Sequence, residues 1–373
     1  MLKDGKSVRF IVVCIVILLA LYGCENNPAP SDDSKPVESQ STSTYRTDLL
    51  QTQQSKTTLA LTKVFFLDAN EGWAVGRNGV ILHTGNGGGD WSPQPSSTDE
   101  NLIDIQFINK TTGWAVSVNR VLSTSNGGRT WSDVWDTSTI NLSEGESGAD
   151  TGIQFQAAMI SIAFYDANHG WALALGWDPS AGKYSTPLVL NTNDAGKSWD
   201  WQVIDQEYGL IAVADSKTCI IAGKLGRLAQ TTDGGKTWER RSSLTEDDIL
   251  GVSFSSPKQG WAVGSHGTII SSNDGGRTWE VVYKQSDNDH PIELHAIHFN
   301  DQSHGAAAGF EDISKGDKYQ YLLTTLVTTN GGRDWQRKQI APVDFVINSM
   351  SIINPGAAWA AGGAGQIVRF RTE

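Results

Sequence analysis

The chain has 373 residues, with 41 acidic against 29 basic side chains and a net charge of −12. A surplus of that sign argues against nucleic acid as a partner, while the length admits either two average domains or one large all-β domain. Of the three cysteines, Cys14, Cys24 and Cys219, only the last falls in the folded part, so no intrachain disulfide is expected.

Lys3, Lys6 and Arg9 precede an apolar run of 12 residues from Phe10 to Leu21. A spanning helix needs about 20, so residues 1–23 read as a cleaved signal peptide. Leu21-Tyr22-Gly23-Cys24 resembles the lipobox of bacterial lipoproteins. Cys24 is then the lipidation site, and the expected location is extracytoplasmic, lipid-anchored to a bacterial membrane. Cleavage removes three basic groups and one acid, leaving 26 against 40 and a charge of −14. Residues 24–44 are rich in Ser, Asp, Pro and Thr and poor in large apolar groups, a composition that cannot fold alone and reads as a flexible linker.

From residue 45 onward the sequence is a repeat, and repeats decide the fold. Gly-Trp-Ala-Val-Gly stands at 72–76 and 260–264, with variants starting at Gly113, Gly170, Cys219, Gly305 and Ala358. Seven residues before each Trp place lies Phe66, Phe107, Phe164, Val213, Phe254, Phe299 or Ile352, and two before that Val64, Ile105, Ile162, Ile211, Val252, Ile297 or Met350. Apolar residues two apart mark the first strand of a unit, and the Trp-Ala pair marks the second. Cys219 occupies an apolar strand and reads as inert core.

Each unit but the last then carries an Asp box: Thr84/Asn86/Gly88/Trp91, Thr124/Asn126/Gly128/Trp131, Thr192/Asp194/Gly196/Trp199, Thr231/Asp233/Gly235/Trp238, Ser272/Asp274/Gly276/Trp279 and Thr328/Asn330/Gly332/Trp335. The pattern describes a tight hairpin in which the Asp or Asn accepts backbone N–H bonds, Gly supplies positive φ and Trp packs the turn down. Strands on either side of it complete four-stranded antiparallel blades, and seven units make an all-β, seven-bladed β-propeller over residues 45–373. The seventh unit ends after its third strand, so its fourth must be an N-terminal strand near Tyr45 to Gln54, which closes the ring.

Gly-Trp-Ala-Val-Gly, Gly79-Val80-Ile81-Leu82 and Asp-Gly-Gly-Lys-Thr-Trp at 233–238 resemble the photosystem II stability and assembly factor family over residues 50–373. The resemblance implies an Asp-box (BNR-type) seven-bladed lipoprotein that chaperones a reaction-centre subunit through a cluster of arginines on one face. Gly305-Ala306 and Cys219-Ile220 depart from the Gly-Trp pattern.

Long insertions fall at Asp136 to Gln154, Trp177 to Pro187 and Glu311 to Tyr321. All belong to connections that emerge opposite the Asp boxes, where function is expected. Short connections there carry Arg77, Arg120, Arg227 and His266, and the insertions add Trp177, Tyr184, Tyr319 and Tyr321. Basic and aromatic groups on one face suit a protein or peptide partner, with the membrane reached through lipid on Cys24.

A catalytic reading has less to work with. Asp boxes also occur in sialidases and endoglucanases, making a glycoside hydrolase or carbohydrate-binding propeller the alternative. Glycoside hydrolysis needs two opposed carboxylates, for which Asp104, Asp178, Asp312 and Glu311 are candidates, whereas Asp68 and Asp166 sit in turn motifs that cap backbone. His295 and His298, three apart on a strand, are expected on opposite faces, unlike a zinc pair. Asp287, Asp289 and Glu293 lack the Gly of a calcium loop. No catalytic residue, cofactor or metal site is expected.

Overall fold

The computed structural model describes residues 45–137, 157–178, 183–206, 208–286, 291–315, 318 and 320–372. The signal peptide, Cys24, the linker, most of the insertion after Asp136, Asp287, Asp289 and Tyr319 lie outside them. Blade 1 comprises Leu61–Phe66, Gly72–Gly76, Ile81–Thr84 and Ser92–Gln94. Blades 2 to 6 follow over 102–136, 157–203, 210–241, 249–283 and 292–343. Blade 7 joins Ile347–Asn354, Ala357–Gly362 and Ile367–Phe370 to Leu50–Gln53, so that seven four-stranded sheets close the propeller with the N-terminal strand. Leu50 pairs with Phe370 and Gln53 with Ile367, antiparallel. Among the described residues no helix is long and apolar enough to cross a membrane.

The blades adhere through a repeated aromatic sandwich. The Gly-Trp indole of one blade stacks on the first-strand Phe of the next: Trp73 on Phe107 at 3.5 Å and 8°, Trp114 on Phe164, Trp261 on Phe299, and Trp359 on Phe66 across the closure. The Asp-box Trp of that next blade meets the same ring edge-on, as Trp131 meets Phe107 at 5.8 Å and 84°. The edge-on contact is a favoured aromatic geometry. The Gly opposite each first-strand Phe is required by this packing, because a Cβ on Gly113 would lie 2.6 Å from the Phe107 ring.

Where the Phe is replaced, so is the Gly. Val213 faces Cys219 and Ile352 faces Ala358, smaller rings' worth of volume on one side admitting a side chain on the other. Cys219 is fully buried and burial pushes its thiol up, in keeping with inert core.

The face carrying the Asp boxes is held by hydrogen bonds. Thr84 Oγ1 accepts from Gly88 N at 2.9 Å, Asn86 Oδ1 accepts from Asp90 N at 2.9 Å, and the other boxes repeat this. Glutamine side chains then clip successive blades: Gln53, Gln94 and Gln202 donate to the Asp-box carbonyls of Gly87, Gly127 and Gly235. The channel edge is likewise satisfied, since Ser349 and Ser351 accept from Val64 N and Phe66 N, and Asp104 and Gln106 accept from Ile162 N and Phe164 N. An unpaired inner strand edge would otherwise be a liability.

Candidate partner-binding face

Opposite the boxes, strands two and three of blades 1, 4, 5 and 7 are joined by two residues with positive φ: Asn78-Gly79, Leu225-Gly226, His266-Gly267 and Ala364-Gly365. Such pairs match the twist of a tight hairpin. Three of these turns seat on the connection leading to the next blade, because a Cβ on Gly79, Gly226 or Gly365 would lie 1.9, 2.0 or 2.1 Å from the carbonyl of Thr98, Thr245 or Thr57. Those connections share a Ser-x-Thr turn in which Ser55, Ser96 and Ser243 donate to the carbonyls of Thr57, Thr98 and Thr245.

The four basic residues expected on this face are all there, in unequal states. Arg77 is exposed and Arg227 half-buried, and neither makes a side-chain hydrogen bond or ion pair among the described residues. Arg120 is spent: it donates to Asp133 and to Glu100 Oε1 at 2.9 Å, with Asp136 at 4.0 Å. Those bonds, Asp133 foremost, hold its guanidinium above its ordinary pKa. His266 Nδ1 lies 2.9 Å from Asp247 Oδ1, and Lys284 lies 2.7 Å from the other oxygen. Burial opposes ionisation of Asp247, yet donation from Lys284, Thr268 and Thr245 keeps its pKa at about 2.

The aromatic set is corrected. Tyr321 is core, 4% exposed and edge-on to Phe310 at 5.0 Å, so it is not available to a partner. It is buried because it opens the third strand of blade 6, where Gly305–Asp312 runs against Tyr321–Thr328 and Asp312 pairs with Tyr321. Blade 3 does the same, with Trp177 opposite Tyr184 in the hairpin Gly170–Asp178 and Lys183–Thr192. These hairpins continue three or four residues beyond the place of Gly76, about 10–13 Å at strand rise. Trp177 is half-buried there; the side chain of Tyr184 and all of Tyr319 lie outside the described residues.

The candidate carboxylates are committed elsewhere. Asp104 is buried and bonded to Ser161, Ile162 N and Lys63. Glu311, 1% exposed, is held by Arg337 at 2.8 Å and by Thr324. Asp312 is exposed and caps Ser314 N, and the side chain of Asp178 is not among the described ones. Asp68 and Asp166 cap their turns as expected, Asp68 accepting from Glu71 N and Asn70 N, contacts that lower its pKa.

The expectation for the two histidines fails. A bulge between Leu294 and Ala296 inverts the alternation, so Ile292, Leu294, Ile297 and Phe299 all pack toward blade 5. His295 stacks on Phe310 on the blade 7 side, and the alternation puts His298 there too. Burial lowers both pKa values, that of His295 to about 4. Among the described residues no group of three or more His, Cys, Asp or Glu could hold a metal ion.

What the motif search missed is apolar. Leu225 and Leu244 are 62% and 67% exposed, and Val281 41%. The first could have been read from the repeats, since Leu225 stands where the sister units have Asn78, His266 and Ala364.

A family model described as photosynthesis system II assembly factor YCF48 matches residues 242–341. A photosystem II assembly lipoprotein Ycf48 of Synechococcus sp. (strain CC9902) is 22% identical, aligned over 69% of this chain and 68% of its own. That of Trichormus variabilis is 24% identical, over 69% and 92%. Among solved structures, YCF48 bound to D1 peptide matches at TM-score 0.59 and 17% identity, covering 87% of this chain and 96% of that one. A GH74 xyloglucanase from Xanthomonas campestris matches in fold at TM-score 0.56 and 12% identity, covering 87% and 54%. In sequence the chain is similar to the photosystem II assembly factor family, and in fold it is a seven-bladed Asp-box propeller.

Proposed function

We propose that this protein is a non-catalytic extracytoplasmic lipoprotein scaffold that holds a protein or peptide partner at a membrane surface, in the manner of the assembly factors it resembles. The observation that carries the reading is a pair of arginines on the face opposite the Asp boxes, Arg77 and Arg227, neither with a side-chain hydrogen bond or ion pair among the described residues. Unpaired guanidiniums recognise carboxylates well, and the related YCF48 has been solved with a D1 peptide. In favour of binding over glycoside hydrolysis, two of the candidate carboxylates, Asp104 and Glu311, are buried and already hydrogen-bonded.

The test is a cross-linked pull-down of the intact lipoprotein from its native membranes, read by mass spectrometry, beside an Arg77→Glu, Arg227→Glu variant. A membrane-complex subunit captured by wild type and lost in the variant supports the reading; equal capture by both refutes the role of the arginines. The anchor is tested separately: Cys24→Ser should move the protein from the detergent phase to the aqueous phase, and retention in detergent refutes lipid on Cys24.

A further inference from the structure

Between blades 4 and 5, on the face opposite the Asp boxes, lies a groove of about 670 Å³ bounded by the Leu225 turn, the Ser243–Thr245 connection and the end of the outer strand of blade 5. Its volume falls in the range of sites that enclose a small ligand or a few residues, about 300–1,000 Å³. Among the described residues, three of the six exposed large apolar side chains line it: Leu225, Leu244 and Val281. Four cations line it as well: Arg240, Arg241 and Lys284 are paired with Asp205, Glu239 and Asp247, which leaves Arg227.

Both leucines are anomalous for the fold. Leu225 has φ 56° and Leu244 φ 58°, the left-handed region that disfavours any residue with a Cβ and is tolerated best by Gly and Asn. At the place of Leu225 the sister blades put Asn78, His266 and Ala364, and at the place of Leu244 they put Lys56 and Ser97. Nothing in the ring requires a leucine at either turn, and both side chains project into solvent rather than into a core. Strained, exposed and convergent residues point to a ligand. Beside them stands Arg227, whose guanidinium is without a partner among the described residues.

Resting on the reading of this face as a partner-binding surface, we infer that the groove between blades 4 and 5 takes an extended acidic peptide segment, its apolar side chains against Leu225, Leu244 and Val281 and a carboxylate on Arg227. Charge complementarity selects the acidic segment, since Arg227 is the group left to be neutralised. The concave shape favours a peptide over a bilayer, which takes leucines that protrude from a convex surface.

The test uses the full chain in detergent and a fluorescein-labelled octapeptide alternating Leu and Asp, followed by fluorescence anisotropy, with an octapeptide alternating Leu and Lys as its charge control. The acidic probe should bind wild type and the basic one should not. Leu225→Asn with Leu244→Asn should weaken binding at least 10-fold, and Arg227→Gln about 10-fold. Val203→Asn, an exposed apolar residue outside the groove, should leave it unchanged. Because Asn suits left-handed backbone, the double variant should melt no lower than wild type, which keeps a loss of binding from being a loss of fold. Equal binding by wild type and the double variant overturns the inference, as does binding of the basic probe. Flotation with vesicles containing phosphatidylglycerol that depends on the two leucines, without peptide binding, overturns it in favour of a lipid surface. If the double Asn variant still captures the membrane subunit that the Arg77→Glu, Arg227→Glu variant loses, the groove fails while the partner-binding face stands. If neither probe binds and wild type captures nothing, both fail.

Discussion

Glu293 should make this propeller less stable as pH rises through neutrality. It is the second residue of the inner strand of blade 6, Ile292–Phe299, opposite Phe310. Burial, reinforced by the charges of Asp248 and Asp247, raises its pKa from 4.5 to about 7. A folded pKa above the unfolded one means that the folded state binds the extra proton between the two values. The protein is therefore favoured below about pH 4.5, and that advantage is lost as pH climbs through 7. At 1.36 kcal/mol per unit, the loss is about 3 kcal/mol at most. Glu293→Gln keeps the shape and cannot ionise, so it should gain up to about 3 kcal/mol at pH 8 and little at pH 5, read from urea unfolding at both values. His295 works in the opposite direction. Its pKa is depressed to about 4, so stability is lost as pH falls from 6.5 through 4, and comparison of variant with wild type at fixed pH separates the two groups. A Glu293→Gln gain as large at pH 5 as at pH 8 would refute the argument.

Two further predictions concern the ring. Gly113→Ala drives a Cβ into the Phe107 ring at 2.6 Å and should cost about 1–3 kcal/mol by overpacking. In a Phe107→Val background the same change should cost clearly less, as the native Val213–Cys219 pair suggests, and a double-mutant cycle with no coupling would sink that account. Replacing residues 45–54 with a Gly-Ser linker of equal length removes the strand paired with Ile367–Phe370 and the Gln53 bonds to Gly87 O and Trp91 Nε1. Limited proteolysis should then cut first within residues 347–372, and resistance equal to wild type would show that the closing strand does not hold blade 7.

The fold was legible because its signals are periodic. Seven apolar pairs two residues apart and six Asp boxes leave one arrangement, and the unit without an Asp box is the one that takes the N-terminal strand. The site was legible only as a face. Arg77 and Arg120 look alike in the sequence, yet the carboxylates that occupy Arg120 come from the preceding connection, Glu100, and from the strand paired beside it, Asp133, and no short-range pattern announces them. Tyr321 read as loop because an insertion gives no period of its own, whereas cross-strand pairing with Asp312 buries it. Strict alternation puts the two histidines on opposite faces, and the one-residue bulge at His295 brings them to the same one.

Blade 4 ties these observations together. The sandwich of indole on phenyl is missing at three layers, where Trp171 meets Val213, Ile220 meets Phe254 and Ala306 meets Ile352. The third is refilled: Phe310, Tyr321 and Phe345 join the apolar cluster between blades 6 and 7. The other two flank blade 4 on both sides, with Tyr208 added to one and no aromatic beyond the usual Phe254 and Trp279 to the other. So the blade least bound by aromatic stacking also carries both exposed leucines and the unpaired Arg227. A docking segment seated between blades 4 and 5 would bridge the layer that lacks its indole, supplying from the partner the apolar contact that the ring itself supplies elsewhere. Binding there should thus stabilise the ring where it is thinnest, a coupling that a groove over one of the fully stacked layers would show far less.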